Sequence, residues 1–334
     1  MFRLELVAVQ IEEAHRLAQI GRLPHLRVAF LLLDNAAEMM LVRMFERATE
    51  HLEMDQMILD GLMREQSVHD SEAMQLRIAE LQTKVIPTAK FKKIEQGFSE
   101  KANFLFGRGK LDLSTAEILK RLHHYRNLMY HQLEMRSTLI STALSVYFDV
   151  DCEILAGWTT PRIMSSEHSH SDLRRIGIDP DTMFDDTVCR RTSDILRTLA
   201  GIDVDSVRVA LVEHLHERIN EIDEDIDFIF ENSSHLAIET RDDLIRLIQL
   251  IGDDGRKLPS LQELRATRVS TDTRKIESWT RRIEALASMS DRLLLYARFA
   301  GIELEFEPFE ELVQHIAGVI DRKIQFDIDV ARGK

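Results

Sequence analysis

The chain has 334 residues, 43 basic and 57 acidic side chains, a formal net charge of −14 and 44% apolar residues. That is room for one large domain or two ordinary ones with a sizeable core, and it excludes wholesale disorder. Two cysteines, Cys152 and Cys189, build no disulfide framework and lack metal-ligand spacing, which points to a reducing, cytoplasmic setting. No apolar run reaches the roughly 18 residues of a membrane span, so no membrane partner is expected, and the N-terminus turns acidic too soon for a signal peptide. Six prolines and 13 glycines favour long helices over many short strands.

In chain order, Leu4, Val7, Ile11, Ala14 and Ala18 predict an amphipathic helix over 2–20 with Gly21 as its stop. Pro24 opens a second helix to about residue 53, striped by Phe30, Leu33, Ala37, Met40, Leu41 and Met44. Asp34 and Glu38 lie one turn apart on the margin of that stripe. Past Pro87 a helix is expected over about 88–106, with Gly107 and Gly109 marking a turn. Ser114 and Glu117 read as a capping box for a helix from about Thr115, and the pattern runs to Val150 with one break inside it. Residues 151–180, with Gly157, Pro161, Pro180 and the run SSEHSHSD, read as a linker or large loop. His168 and His170 within it could touch a metal, although a solvated loop is the simpler account, and no metal site is assigned.

Beyond the linker, Val204, Val207, Leu211, Leu215, Ile219, Ile222, Ile226 and Ile229 make one long amphipathic helix with an acidic outer face. Ser260 and Glu263 form a second capping box. Ile276, Trp279, Ile283, Leu286, Ser290, Leu293, Ala297 and Ala300 approximate a heptad, which packs inside a bundle or serves as a dimer seam. Pro308 is expected to start a last helix, with 329–334 a loose tail. The expected fold is all-α: a helical bundle over 1–150, a linker over 151–180 and a second helical domain over 181–330, which would regulate, dimerise or bind a partner.

Charge is unevenly spread. Residues 84–126 carry 10 basic and 4 acidic side chains, and seven of the 11 lysines fall between 84 and 120. A basic island in an acidic chain is the form a local anion site takes, though a solvated basic helix face would look the same. P-loop, GxGxxG, GxSxG, HExxH and CxxC patterns are absent. At the end of the island stands LKRLHHYRNLMYHQLEMRS, 119–137, with an R-x4-H spacing from Arg126 to His131. Spacing alone is uninformative: four R-x(4–6)-H pairs occur, and about four are expected by chance from this composition. The Arg126 pair differs in its context. Asn127 follows the arginine directly, and the segment is helical and apolar-flanked. On a helix Asn127 and His131 face one way, and a long arginine covers part of the 140° offset. His123, His124 and Tyr125 read as one turn of helix surface.

RNLMYHQ after RLHHY resembles the signature of the HEPN superfamily (higher eukaryotes and prokaryotes nucleotide-binding domain), over about residues 24–150. The resemblance implies a helical bundle and a metal-independent endoribonuclease of the toxin–antitoxin or antiviral-defence kind, cutting tRNA or other cellular RNA. It implies Arg126, Asn127 and His131 as catalytic residues, with Glu38 or Asp34 as a supporting acid on an early helix. RNA contacts are then expected from Lys92, Lys93, Lys110, Lys120, Arg121, His124, Tyr125 and Tyr130. It further implies no cofactor, a homodimer with its R-x4-H motifs facing each other, and an antitoxin or defence-system protein as a partner. The chemistry is sound: histidine moves protons near neutral pH, arginine stabilises charge growing on phosphorus, and the 2′-OH of RNA is the nucleophile. A non-cleaving module that binds RNA, nucleotide or protein, and a purely structural helical protein, are the competing readings.

Overall fold

The computed structural model describes residues 2–66, 71–84, 86–131, 137–158, 171–177, 187–233, 238–251 and 259–332. Among them every regular element is a helix, so the fold is all-α. The chain divides into two compact units, Met1–Asp203 and Val204–Lys334.

The first unit contains α1 (Phe2–Ile20), α2 (Leu23–Gln66), α3 (Glu72–Lys84), α4 (Thr88–Gln96), α5 (Phe98–Gly107), α6 (Leu113–His131), α7 (Ser137–Gly157), α8 (Ser171–Arg175) and α9 (Val188–Ala200). The long α2 is its spine. It lies against α1, α3, α5, α6 and α7. The apolar stripe read from sequence is what it buries: Phe30, Leu33, Ala37, Met40 and Leu41 are all essentially inaccessible. Burying each of the larger side chains among them is worth about 1.5–3 kcal/mol before entropy is counted. Gly21, at φ 71°, closes α1 as expected, because glycine alone enters the left-handed region without strain.

Several expectations are corrected. The α2 helix runs on to Gln66, since Leu52 and Leu59 extend its buried stripe and Leu59 packs with Ile78 and Leu81 of α3. The single helix expected over 88–106 is two, broken where Gly97 turns extended (φ −93°, ψ 130°). A Cβ at Gly97 would run into the Glu100 carboxylate. Ser114 is not the cap of α6. Asp112 is, accepting from Thr115 N at 2.8 Å and from the Thr115 hydroxyl at 2.6 Å. Asp112 lies outside the helix, where a short acceptor side chain satisfies an otherwise orphaned amide.

The domain boundary also moves. Helix α9, expected in the C-terminal domain, packs on α7 and α1. Ser193 Oγ donates to the Cys152 carbonyl at 2.6 Å, and Arg197 pairs with Glu153 at 2.6 Å. The short α8, inside the expected linker, places Leu173 and Ile176 against Ala8 of α1. Its Arg175 pairs with Glu12. A polar stretch of sequence therefore hides one helix, and α8 and α9 together bury their apolar faces on the first core. His168 and His170 lie outside the described residues.

The second unit contains α10 (Val204–Glu231), α11 (Arg241–Ile251), α12 (Leu261–Ala266), α13 (Thr273–Leu286) and α14 (Arg292–Ala331). The stripe from Val207 to Ile229 is buried throughout, and α10 packs on α11, α13 and α14. Ser260 and Glu263 form the expected reciprocal capping box. Ile276, Trp279, Ile283 and Leu286 are buried inside this unit, so they are not a dimer seam. The heptad does not continue as one helix, because α13 ends at Leu286 and Asp291 caps a new one through Leu294 N. Pro308 lies inside α14 instead of starting a helix. Its missing N–H deprives only the carbonyl of residue 304, where Leu304 is 63% exposed and water can serve. The tail expected at 329–334 is helical through Ala331. Within this core Arg218 pairs with the buried Glu303 and Glu310 and lies 4.7 Å over the Phe306 ring.

Candidate active site

The site is built where α2, α5, α6 and α7 meet. Phe30 and Tyr147 set the register of α2 against α7 through an edge-to-face contact at 5.3 Å. One turn beyond Phe30, Asp34 is 3% exposed. Three groups converge on its carboxylate. The Tyr147 hydroxyl donates to Oδ1 at 2.9 Å. His123 Nδ1 lies 2.8 Å from the same oxygen. Arg126 Nε faces Oδ2 at 3.5 Å. A carboxylate only accepts, so the His123 proton sits on Nδ1.

Helix spacing explains the convergence. His123 and Arg126 are three residues apart on α6 and share one face toward α2. The His123 ring is stacked flat on Phe98 of α5, with centroids 4.1 Å apart and planes 4° from parallel. That clamp leaves the imidazole side chain 22% exposed. Arg126 is 36% exposed, and its Nη1 donates to the neighbouring Asn127 Oδ1 at 3.0 Å. The two polar residues of the motif therefore touch.

Asp151, one turn after Tyr147 on α7, is fully buried, and neither of its oxygens has a hydrogen-bond partner. Burial pushes its carboxyl well above the usual range, and the charge of Asp34 adds to the rise. Burial likewise raises the Tyr147 hydroxyl well above its ordinary value, with Asp34 next in effect.

The residues expected from sequence separate into groups. Asp34, Arg126 and Asn127 come together. Glu38, one turn on from Asp34, is half-buried. It is near enough to add to the field at Tyr147. The side chains of Tyr130 and His131 lie outside the described residues, although the α6 backbone is described to His131. Arg121 and Tyr125 are 5% and 2% exposed, with the guanidinium 4.8 Å over the ring. As folded, that pair is interior packing, and the expectation that it contacts RNA is corrected. His124 is exposed, as are Lys92, Lys93 and Lys110. Lys101, part of the basic island, is buried and donates to the Glu95 carbonyl.

Two features of the site do not follow from the sequence reading. His123 reads there as part of a surface turn, yet it is the partner of Asp34. Its position three residues before Arg126 is the available signal. Between α4 and α5 lies a groove of about 620 Å³ lined by Lys90, Lys93, Asn103, Phe104 and Arg108, with Glu100 as its acid. The Arg108 guanidinium lies 5.3 Å over the Phe104 ring. Lys120 of α6 donates to Asn103 Oδ1 at 3.0 Å, so the groove wall adjoins the helix that carries the motif. Among the described residues no three His, Cys, Asp or Glu side chains gather as a metal site, and no helix is long and apolar enough to cross a membrane.

No model of a known protein family, no curated protein and no solved structure matches the chain.

Proposed function

We propose that the protein is a metal-independent endoribonuclease that cuts cellular RNA by attack of the 2′-OH on the adjacent phosphate. The products are a 2′,3′-cyclic phosphate and a free 5′-hydroxyl. The observation that carries this reading is the meeting of Arg126 with both the buried Asp34 and Asn127, on a helix that borders a cation-lined groove. A guanidinium held by a buried carboxylate is fixed in place before substrate arrives. It therefore stabilises charge growing on the non-bridging oxygens without reorganising. Asn127 holds the arginine from the side, and His131, from the motif, transfers a proton. The resemblance adds a homodimer with facing motifs and a role as a toxin or antiviral effector restrained by a partner protein, and the two unpaired cysteines fit a reducing, cytoplasmic location.

The test is incubation of the purified chain with total RNA in EDTA, beside Arg126→Ala and His131→Ala, with analysis of the new ends. Cleavage to cyclic phosphates that both substitutions abolish is expected. Undiminished cleavage by His131→Ala would sink the reading. A non-cleaving RNA-binding module is the second reading, favoured by the engagement of Arg126 with both Asp34 and Asn127. It requires RNA binding with no cleavage by the wild-type chain.

A further inference from the structure

Transesterification of RNA needs two proton transfers, one from the 2′-OH and one to the leaving 5′-oxygen. The R-x4-H motif holds a single histidine, and the resemblance looks to a second copy of the chain for the other. This chain carries another histidine beside the motif. His123 stands three residues before Arg126 on α6, and both side chains meet Asp34.

The surroundings of His123 are those of an oriented base. Asp34, buried and also held by the Tyr147 hydroxyl, fixes Nδ1–H. Phe98 covers one ring face in parallel contact and prevents rotation about the side chain. Among the described residues no protein group meets Nε2. The ring is partly open to solvent on a helix face shared with Arg126. One nitrogen of His123 meets the carboxylate that also faces Arg126, which leaves Nε2 on the open side of the ring.

We infer that His123, oriented by Asp34, is a catalytic residue: Nε2 accepts the 2′-OH proton while Arg126 holds the phosphate. The 2′-oxygen forms its bond to phosphorus, the P–O5′ bond breaks with its electron pair on the 5′-oxygen, and His131 protonates that oxygen. Net proton change is zero, and no co-reactant is required. This inference rests on the ribonuclease reading and extends it to a residue outside the R-x4-H motif.

His123→Asn tests it. The asparagine amide can replace Nδ1–H toward Asp34, so the carboxylate stays partnered, but nothing replaces Nε2. Cleavage of a defined RNA oligonucleotide should fall about 100-fold or more, with the thermal melt confirming a folded chain. In His123→Gly, added imidazole should restore cleavage in proportion to its concentration, which a structural contact would not do. If His123→Asn cleaves within about threefold of wild type while Arg126→Ala is inactive, His123 is not the base. The ribonuclease reading survives that result. If the wild-type chain cuts no RNA, both fall together.

Discussion

Nδ1 of His123 lies 2.8 Å from Oδ1 of Asp34, a residue 89 positions earlier in the chain. The contact joins the helix that bears the arginine motif to the longest helix of the first unit, and Arg126 and Tyr147 close on the same carboxylate. The strongest expectations for the site follow from this shared anchor.

Replacing Asp34 removes the acceptor for three donors at once. Asp34→Ala should destabilise the first unit by about 3 kcal/mol, because buried polar groups are left unsatisfied. Asp34→Asn should cost less, since one oxygen remains to accept. Urea denaturation followed at Trp158, with Trp279 replaced by phenylalanine, measures both. Equal stability of wild type and Asp34→Ala would show that the cluster contributes nothing net.

Asp151 should make stability depend on pH in a defined direction. Its folded carboxyl is raised well above the usual range, first by burial and then by Asp34. The folded state therefore binds the proton more tightly than the unfolded state. That contribution is fully present below the unfolded value, near pH 4, and is lost as pH rises toward the folded value. Asp151→Asn, which mimics the neutral acid, should melt close to wild type near pH 4 and about 4 °C higher at pH 8. Thermal melts across that range decide it, and a difference constant with pH would contradict the assignment.

The groove between α4 and α5 should contribute to RNA affinity by neutralising phosphates. Lys90→Ala with Lys93→Ala should weaken binding of a single-stranded oligonucleotide. The slope of log affinity against log salt should fall by about 0.7 for each phosphate that no longer meets a lysine. Fluorescence anisotropy at several salt concentrations reads both quantities. An unchanged slope would remove the groove from the interface.

In the second unit Arg218 serves two buried carboxylates, Glu303 and Glu310. Arg218→Ala removes the guanidinium from both, leaving Glu303 its contact with His214, and should cost about 3–5 kcal/mol. Adding Glu303→Gln and Glu310→Gln should recover much of that loss, because the uncompensated charges go with the arginine. Denaturation followed at Trp279, with Trp158 replaced by phenylalanine, distinguishes the three proteins.

Local pattern makes much of the fold legible. The stripe from Val207 to Ile229, the stop at Gly21 and the box at Ser260 and Glu263 stand as the sequence implies. Each depends on residues within one or two turns of one another. Breaks are harder to read. Gly97 splits a helix and Pro308 does not, because helix ends depend on whether nearby carbonyls find water or protein partners. The polar stretch before α9 has the composition of a boundary, although the helices α8 and α9 bury their apolar faces on α1 and α7.

What the sequence by itself determined is an all-α chain with a basic island, an arginine motif at its end and a carboxylate on an early helix. Hydrophobic period, capping and charge are local properties, and they are written in neighbouring residues. What only the tertiary structure decided is which polar groups meet. Asp34, Phe98, His123, Arg126 and Tyr147 come from four helices. Their distances depend on how the apolar faces of α2, α5, α6 and α7 interlock. The same packing turned Arg121 and Tyr125 inward, and it gave His123 the partner that makes it a candidate base.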